Sequence, residues 1–289
     1  MRHWLIANTR AGDGTRHGGF WRERLARAGL ADLAVRDLGD SAWEEEIGAG
    51  DRVLVAGGDG SANRVAGVCI RHGAVLGVLP SGTANDFARN LDLPEDPDAL
   101  CRLMVEGSPR EIDVAWINER LFLNVVHIGL GTLPATQASP RLKKWLGRFS
   151  YAAVLLRLRR LGLMRGFKAS IDHDDGRLEE RWLSLAIASG AYFGGGQRVP
   201  HASPHDGRLT LVAVRPRPWW QLARTLVVAR LTDQAPDGDD SVVHLEPTVC
   251  RFHLGHERLV TADGDSLGRF AELRLRADAG ALRVIAGPS

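Results

Sequence analysis

Only three cysteines occur in this 289-residue chain, far apart at Cys69, Cys101 and Cys250. Each sits in an apolar pattern, and their spacing does not suit a metal. This excludes a disulfide-stapled scaffold and a cysteine-ligated zinc module, and it fits buried thiols in a reducing cytoplasm. An excess of one charge is also missing: 37 basic residues face 35 acidic ones, for a formal net charge of +2. A nucleic-acid binder driven by bulk charge is therefore not expected. Lysine is scarce, and arginine carries nearly all of the positive charge. No apolar run approaches the ~18 residues of a membrane-spanning helix. The N-terminus lacks the architecture of a signal peptide. There are no internal repeats and no low-complexity tract, and residues 234–241 are the one linker-like stretch. The length suggests two domains with a sizeable core.

What is present is concentrated between residues 52 and 93. Two short apolar runs, 53–56 and 75–79, read as buried parallel strands. The first ends in Gly57-Gly58-Asp59-Gly60-Ser61, the second in Pro80-Ser81-Gly82-Thr83-Ala84-Asn85-Asp86. Each turn opens into a helical pattern. The first pattern carries Val65, Val68, Cys69 and Ile70 and stops at Gly73, a C-cap. The second carries Phe87, Ala88 and Leu91. Two such units put two loops at the carboxyl edge of one sheet, where α/β proteins hold ligands. Glycines let the backbone approach a phosphate, and helix N-terminal N–H groups attract its charge. Asp59 is the odd residue in such a loop. A carboxylate beside phosphates is repelled unless a divalent cation lies between them. The loop therefore points to phosphate held together with magnesium.

At these residues the chain resembles the catalytic domain of the diacylglycerol kinase family, which includes sphingosine kinases and soluble bacterial lipid kinases. Gly-Gly-Asp-Gly alone is weak, because NAD kinases and 6-phosphofructokinases use it as well. The second motif, over residues 79–94 and at the right spacing, is far more specific. The second glycine-threonine motif of NAD kinases and the later phosphofructokinase motifs have no counterpart here. The resemblance implies that Gly57, Gly58, Gly60 and Ser61 cradle the phosphates of ATP. Ser81, Gly82, Thr83 and Asn85 would add to the nucleotide site. Asp59 would position Mg2+, and Asp86 is a further candidate ligand in the same motif.

Elsewhere the resemblance continues in blocks. Residues 4–7 read as the first strand, followed by Asn8-Thr9-Arg10-Ala11-Gly12. The family usually carries an Asn-Pro-x-x-Gly-like turn here; the Asn and Gly are kept and the Pro is absent. Asn8 is a candidate nucleotide contact, with a plain Asx turn as the alternative. A helix is expected over 18–29, with Phe20, Leu25 and Ala28 inward and Gly29 ending it. A strand over 33–38 and a short capped helix over 40–47 follow, its acidic first turn solvated. A helix from 97 stops at Gly107. Residues 111–117 and 121–127 read as a hairpin. Asp113 lies in a pattern that the family associates with the magnesium region.

Residues 167–171 and 178–189 read as a hairpin about Asp174-Asp175-Gly176. The Tyr192-Phe193-Gly194-Gly195-Gly196 segment resembles one that lines the family's inter-domain cleft. Asp206-Gly207 resembles a segment that binds structural magnesium, which makes Asp206 a candidate ligand; an ordinary Asp-Gly turn is the alternative. In Asp263-Gly264-Asp265 the family has Asp-Gly-Glu, whose Glu acts as general base on the lipid hydroxyl. Here Asp265 keeps the carboxylate on an arm one methylene shorter. A second departure is Arg64, where the family typically carries Glu.

Residues 140–156 suggest an amphipathic helix, with Leu142, Trp145, Leu146, Phe149, Ala153 and Leu156 on one face. Lys143, Lys144, Arg157, Arg159 and Arg160 crowd its edges. Such a helix either covers the lipid pocket or the sheet, or touches an anionic membrane. Residues 218–231 form a second basic amphipathic stretch, with Trp219 and Trp220 adjacent.

These blocks imply an α/β plus β architecture. A doubly wound α/β nucleotide-binding domain is expected over 1–125, rejoined in one reading by 279–289. A mainly antiparallel, β-sandwich-like lipid-substrate domain is expected over 126–278, with the active site between the two. The expected activity is ATP- and Mg2+-dependent transfer of the γ-phosphoryl group to a lipid hydroxyl, on a diacylglycerol-like substrate. Asp59 and Asp265 would be catalytic. The alternatives are a kinase of another hydroxylated small molecule and a catalytically weak nucleotide or lipid sensor. The expected setting is the cytoplasm, at the inner face of the membrane in one reading. The partners implied are a lipid substrate and an anionic membrane surface, without nucleic acid; a homodimer stays open.

Overall fold

The computed structural model describes residues 1–9, 11, 14–132, 165–193, 197–198, 203, 205–218, 220–222, 224 and 240–288. The helix expected over 140–156, its basic residues, Trp219 and most of 218–231 lie outside the described residues.

Strands that bury both faces form the N-terminal half. These are β1 (His3–Ala7), β3 (Arg52–Gly57) and β4 (Val75–Pro80), with β2 (Ala34–Asp37) at the edge. They pair in parallel in the order β2-β1-β3-β4. Side chains alternate along each strand, so the sheet feeds two cores. Trp4, Ile6, Val53, Val55, Leu76 and Val78 belong to one core. It is closed by α2 (Trp43–Glu46), α3 (Asp59–His72) and α4 (Asp86–Asn90) through Trp43, Val65 and Phe87. Leu5, Leu54, Ala56 and Leu79 face the other way. There α1 (Gly18–Arg27) and α5 (Pro97–Glu106) contribute Trp21, Leu25, Leu100 and Met104. Helices on both faces make this half doubly wound. On α1 the inward residue is Trp21, whereas Phe20 is half-buried beneath the Arg24 guanidinium.

The C-terminal half is antiparallel. β5 (Pro109–Ile117) and β6 (Arg120–Phe122) form a hairpin, but it does not continue to residue 127 as expected. Instead β7 (Val125–Gly129) leaves for new partners. The reason is a distant side chain: the Asp263 carboxylate takes the N–H groups of Leu123, Asn124 and Val125, so they do not extend the β5–β6 ladder. β8 (Phe167–His173) and β9 (Gly176–Trp182) form the next hairpin. The strand expected over 178–189 is broken at Leu183, whose N–H turns to the Val214 carbonyl. Beyond it lie β10 (Ser184–Ala188), the small pair β11 (Tyr192–Phe193) and β12 (Gln197–Arg198), β13 (Thr210–Val214) and β14 (Val242–Leu245). A long hairpin follows, β15 (Val249–Ala262) and β16 (Asp265–Ile285). Phe122, Phe167, Trp182, Leu185, Phe252 and Leu273 fill the core of this half.

β16 serves both halves. Its early residues pair with β15, its later ones pair with β5, and Arg283 and Val284 lie parallel to β4. The register slips between Asp278 and Leu282, where Gly280 adopts φ +61°. Fourteen strands thus form one hydrogen-bonded sheet among the described residues.

Candidate active site

β3 and β4 end side by side, so the loops that follow them touch. A Cβ on Gly82 would sit 2.6 Å from the Gly58 Cα, and one on Gly58 would sit 3.2 Å from the Gly82 Cα. Only glycine allows that approach. A Cβ on Gly57 would sit 2.4 Å from the Ser61 Cβ. Ser61 is buried, and its Oγ accepts from Asn8 Nδ2 at 2.8 Å. Asn8, just past β1, therefore braces the first turn of α3. No side chain caps that helix at Gly58, so its first-turn N–H groups can serve an anion.

Other residues of the second loop shape the loop itself. Ser81 Oγ accepts from Trp21 Nε1 at 2.9 Å and donates to the Leu79 carbonyl at 3.2 Å. Asn85, at φ +51°, closes its own turn: Oδ1 accepts from the Gly82 N–H and Nδ2 donates to the Gly82 carbonyl. Thr83 is exposed. Asp86 is buried and ion-paired with Arg89 at 3.2 Å.

Asp59 is the first residue of α3 and is half-buried. Its Oδ1 accepts from the Phe87 N–H at 2.8 Å and lies 3.4 Å from Asn124 Nδ2. No described residue donates to its other oxygen. Asn124 Oδ1 accepts from Asn90 Nδ2 at 3.0 Å, and Asn90 Oδ1 accepts from the Tyr192 N–H at 2.8 Å. This polar chain runs from the glycine-rich loop into the C-terminal half.

The β15–β16 hairpin closes on a two-residue turn, because Ala262 pairs with Asp265. Asp263 and Gly264 have φ +49° and +92°, the positive pair that a type I′ turn requires. The two flanking carboxylates then diverge. Asp263 turns inward and takes four hydrogen bonds, from the N–H groups of Leu123, Asn124 and Val125 and from Asn63 Nδ2. Burial pushes its carboxyl above the ordinary range, against the pull of those four donors. Asp265 is exposed, and its Oδ2 lies 3.8 Å from where a Cβ on Gly60 would stand. Asp265, Asn8, Ala11, Leu38, Gly58, Gly60, Ser61 and Gly82 line a cleft of about 360 Å³.

Two candidate metal residues sit elsewhere. Asp113 accepts from the Gly280 N–H at 2.9 Å and the Gly207 N–H at 2.6 Å, so it fills the slip in β16. Asp206 is exposed and accepts from the Arg208 N–H at 2.9 Å, an Asx turn. Among the described residues no three His, Cys, Asp or Glu side chains gather as a metal cluster. Arg64 turns away onto α2. It donates to Glu44 Oε1 through Nη2 at 2.7 Å and to the Leu38 carbonyl at 2.8 Å. A second cavity, about 330 Å³, lies in the C-terminal half. Leu130, Phe167, Leu183 and Leu259 line it with Arg165, Arg258 and Arg269.

Sequence reading gave no role to Asn90 or to the Asp263 carboxylate. The one available signal is that Asp263 opens a two-residue Asp-Gly turn. A turn position says nothing about which side its carboxylate takes.

Residues 2–117 match the family model of the diacylglycerol kinase catalytic domain. Residues 124–286 match that of the YegS C-terminal NAD kinase beta sandwich-like domain. A Chromohalobacter salexigens protein named probable lipid kinase YegS-like is 30% identical over 219 residues, 74% of this chain and 69% of that protein. A Salmonella arizonae protein named probable lipid kinase YegS is 36% identical over 167 residues, 56% of this chain and 55% of that protein. The chain thus matches little more than half the length of the second relative. A solved structure from Bacillus anthracis str. Sterne superposes with a TM-score of 0.79 at 22% identity, covering 99% of this chain and 95% of that one. Another from the same source, named a diacylglycerol kinase, gives 0.73 at 20% identity over 99% and 97%. At such identities the likeness speaks for the fold alone. The two family models meet where Asp263 grips the connecting segment, and with both matched in order the chain belongs to the YegS-like lipid kinase family.

Proposed function

We propose that this chain transfers the γ-phosphoryl group of ATP, with magnesium, to the hydroxyl of a diacylglycerol-like lipid. The observation that carries this reading is Asp265 facing Gly60 across the cleft: a carboxylate opposite an uncapped, glycine-rich helix N-terminus. The residues suit nucleotide and cation. Gly58 and Gly82 bring the two loops into backbone contact beside the uncapped start of α3, and Asp59 keeps one oxygen to which no described residue donates. Magnesium, when bound, neutralises charge on the phosphates during transfer.

The chain's own groups supply the rest. Asp59 would hold the cation on the phosphate side of the cleft. The N–H groups of Gly60 and Ser61 would orient phosphate oxygens. Asp265 would accept the hydroxyl proton as the oxygen bonds to the γ-phosphorus and the bond to the β-phosphate oxygen breaks, leaving ADP. The second cavity, with Leu130, Phe167, Leu183 and Leu259 beside three arginines, suits an acyl chain near an anionic group. Trp220, 54% exposed, suits the edge of a bilayer.

The test is transfer of label from γ-labelled ATP to diacylglycerol in mixed micelles, run beside other lipids and soluble alcohols. Magnesium-dependent label on diacylglycerol supports the reading. Label on a soluble alcohol alone, or nucleotide binding with no transfer to any acceptor, overturns it.

A further inference from the structure

Asp263 joins three parts of the fold through one carboxylate. Its Oδ1 accepts from the N–H groups of Asn124 at 2.9 Å and Val125 at 3.0 Å. Its Oδ2 accepts from the Leu123 N–H at 2.8 Å and from Asn63 Nδ2 at 3.0 Å. Asn63 belongs to α3, residues 123–125 connect the two halves, and Asp263 sits on the hairpin of the C-terminal half. Asn63 Nδ2 also donates to the Leu121 carbonyl at 3.1 Å, so its orientation is fixed.

Both functional carboxylates hang on this junction. Asp59 lies one turn before Asn63 on α3, where residues four apart share a face. Asp59 also meets Asn124, whose own N–H is held by Asp263. Asp265 follows Asp263 by two residues on a turn that the same carboxylate anchors. A carboxylate is the group this junction needs. It offers acceptor sites on both oxygens, and here all four neighbours are donors. An amide would present N–H groups to one pair of those donors.

We infer that Asp263 is a positioning residue for the transfer reaction. It sets the separation of Asp59 from Asp265 by latching the hairpin of the C-terminal half to α3 and to the connecting segment. The inference rests on the kinase reading for its catalytic consequence, but not for its mechanical one. In mechanical terms, losing the latch lets the cleft widen while both halves keep their cores. In catalytic terms, a displacement near 1 Å between reacting groups costs on the order of 10²-fold in rate.

The experiment compares the full-length wild type with Asp263→Asn. Spin labels go on Arg22→Cys and Arg251→Cys, both exposed and one in each half; the three native cysteines are buried. Label-to-label distances, melting, kcat and nucleotide KM are measured, and Asp263→Asn/Asp265→Asn is compared with Asp265→Asn alone. The expected result is one narrow distance in the wild type and a broadened one in Asp263→Asn. With it, kcat should fall about 10²-fold while nucleotide KM changes little. The double variant should be no slower than Asp265→Asn, because the latch acts on the spacing of Asp265 from Asp59, which no longer matters once the base is gone. If Asp263→Asn does not fold, Asn63→Ala removes one donor of the four and should broaden the distances in a milder form. The inference is overturned if the distances stay narrow, if only melting changes, or if the two losses in kcat multiply. Should the wild type transfer no phosphoryl group to any acceptor, the kinase reading falls, and the label distances still decide the latch.

Discussion

Asp265 and Gly60 face one another across the cleft, with Asp265 Oδ2 3.8 Å from the position a Cβ on Gly60 would take. The carboxylate therefore reaches the loop over residues 57–61 even on the shorter arm. Asp265→Asn keeps the shape and removes the basicity. It should lower kcat by about 10²–10⁴ with nucleotide binding little changed, measured by steady-state kinetics and nucleotide titration. Turnover within twofold of the wild type would remove Asp265 from the base's role. Because Asp265 already reaches the Gly60 side of the cleft, Asp265→Glu should lower activity, not raise it.

Asp59→Asn should abolish transfer while leaving the melting temperature nearly unchanged. The amide oxygen can still accept from the Phe87 N–H, so the contact between α3 and α4 survives. What disappears is the anionic oxygen proposed for the cation. A variant with near-normal magnesium-dependent turnover would rule the role out.

Gly82→Ala should separate the two loops. Its Cβ would stand 2.6 Å from the Gly58 Cα, and a backbone atom cannot swing aside as a side-chain tip can. Overpacking of this kind costs about 1–3 kcal/mol. Nucleotide affinity should fall at least about tenfold, the equivalent of ~1.4 kcal/mol. Calorimetric titration checks it; unchanged affinity would place the nucleotide elsewhere.

Arg64→Glu would install the residue that related kinases typically carry, but opposite Glu44. Two like charges would replace an ion pair that is partly exposed and worth at most about 1 kcal/mol. The melting temperature should drop slightly and kcat should not rise; Glu44→Arg in the same chain should restore only part of the loss, because Glu44 also pairs with Arg71 at 3.1 Å. A gain in kcat would mean that Arg64 restrains the site.

Asp51 gives a pH dependence. Burial alone would raise its carboxyl, but bonds from the Arg2 N–H, the Trp4 indole and the Gly48 N–H outweigh it and hold the group below its ordinary value. A folded-state value below the unfolded one adds stability above the ordinary carboxyl range, and that stability is lost as pH falls through the folded value. Asp51→Asn should thus destabilise at neutral pH by about 1–3 kcal/mol. The gap from the wild type should close in acid. Denaturant melts at several pH values test this; a constant gap would refute it.

The parallel half was legible because runs such as 53–56 and 75–79 are apolar throughout and their glycine turns have few alternatives. The β7 departure was not legible. Residues 121–127 carry a strand pattern, and what breaks it is a carboxylate some 140 residues away in sequence, at Asp263. Site residues divide in the same way. Gly57, Gly58, Gly60, Ser61, Asn8, Gly82 and Asp265 meet in space, as their motifs suggested. Ser81 and Asn85 spend their polar atoms on Trp21 and on their own turn, a choice that composition does not encode. Arg64, unusual as a sequence feature, is an ordinary tether once α2 is beside it.

The long β16 imposes an order on folding. β4 comes early in the chain, yet its partners Arg283 and Val284 arrive 208 residues after Val75. Until they do, the parallel sheet that carries both glycine loops has a raw edge, with Leu76 awaiting a neighbour. Contacts this distant in sequence slow folding, because a large loop must close before they form. A growing chain would therefore hold an unfinished nucleotide half through most of its synthesis. Final registration of that half and completion of the hairpin bearing Asp265 would then fall in the same late event.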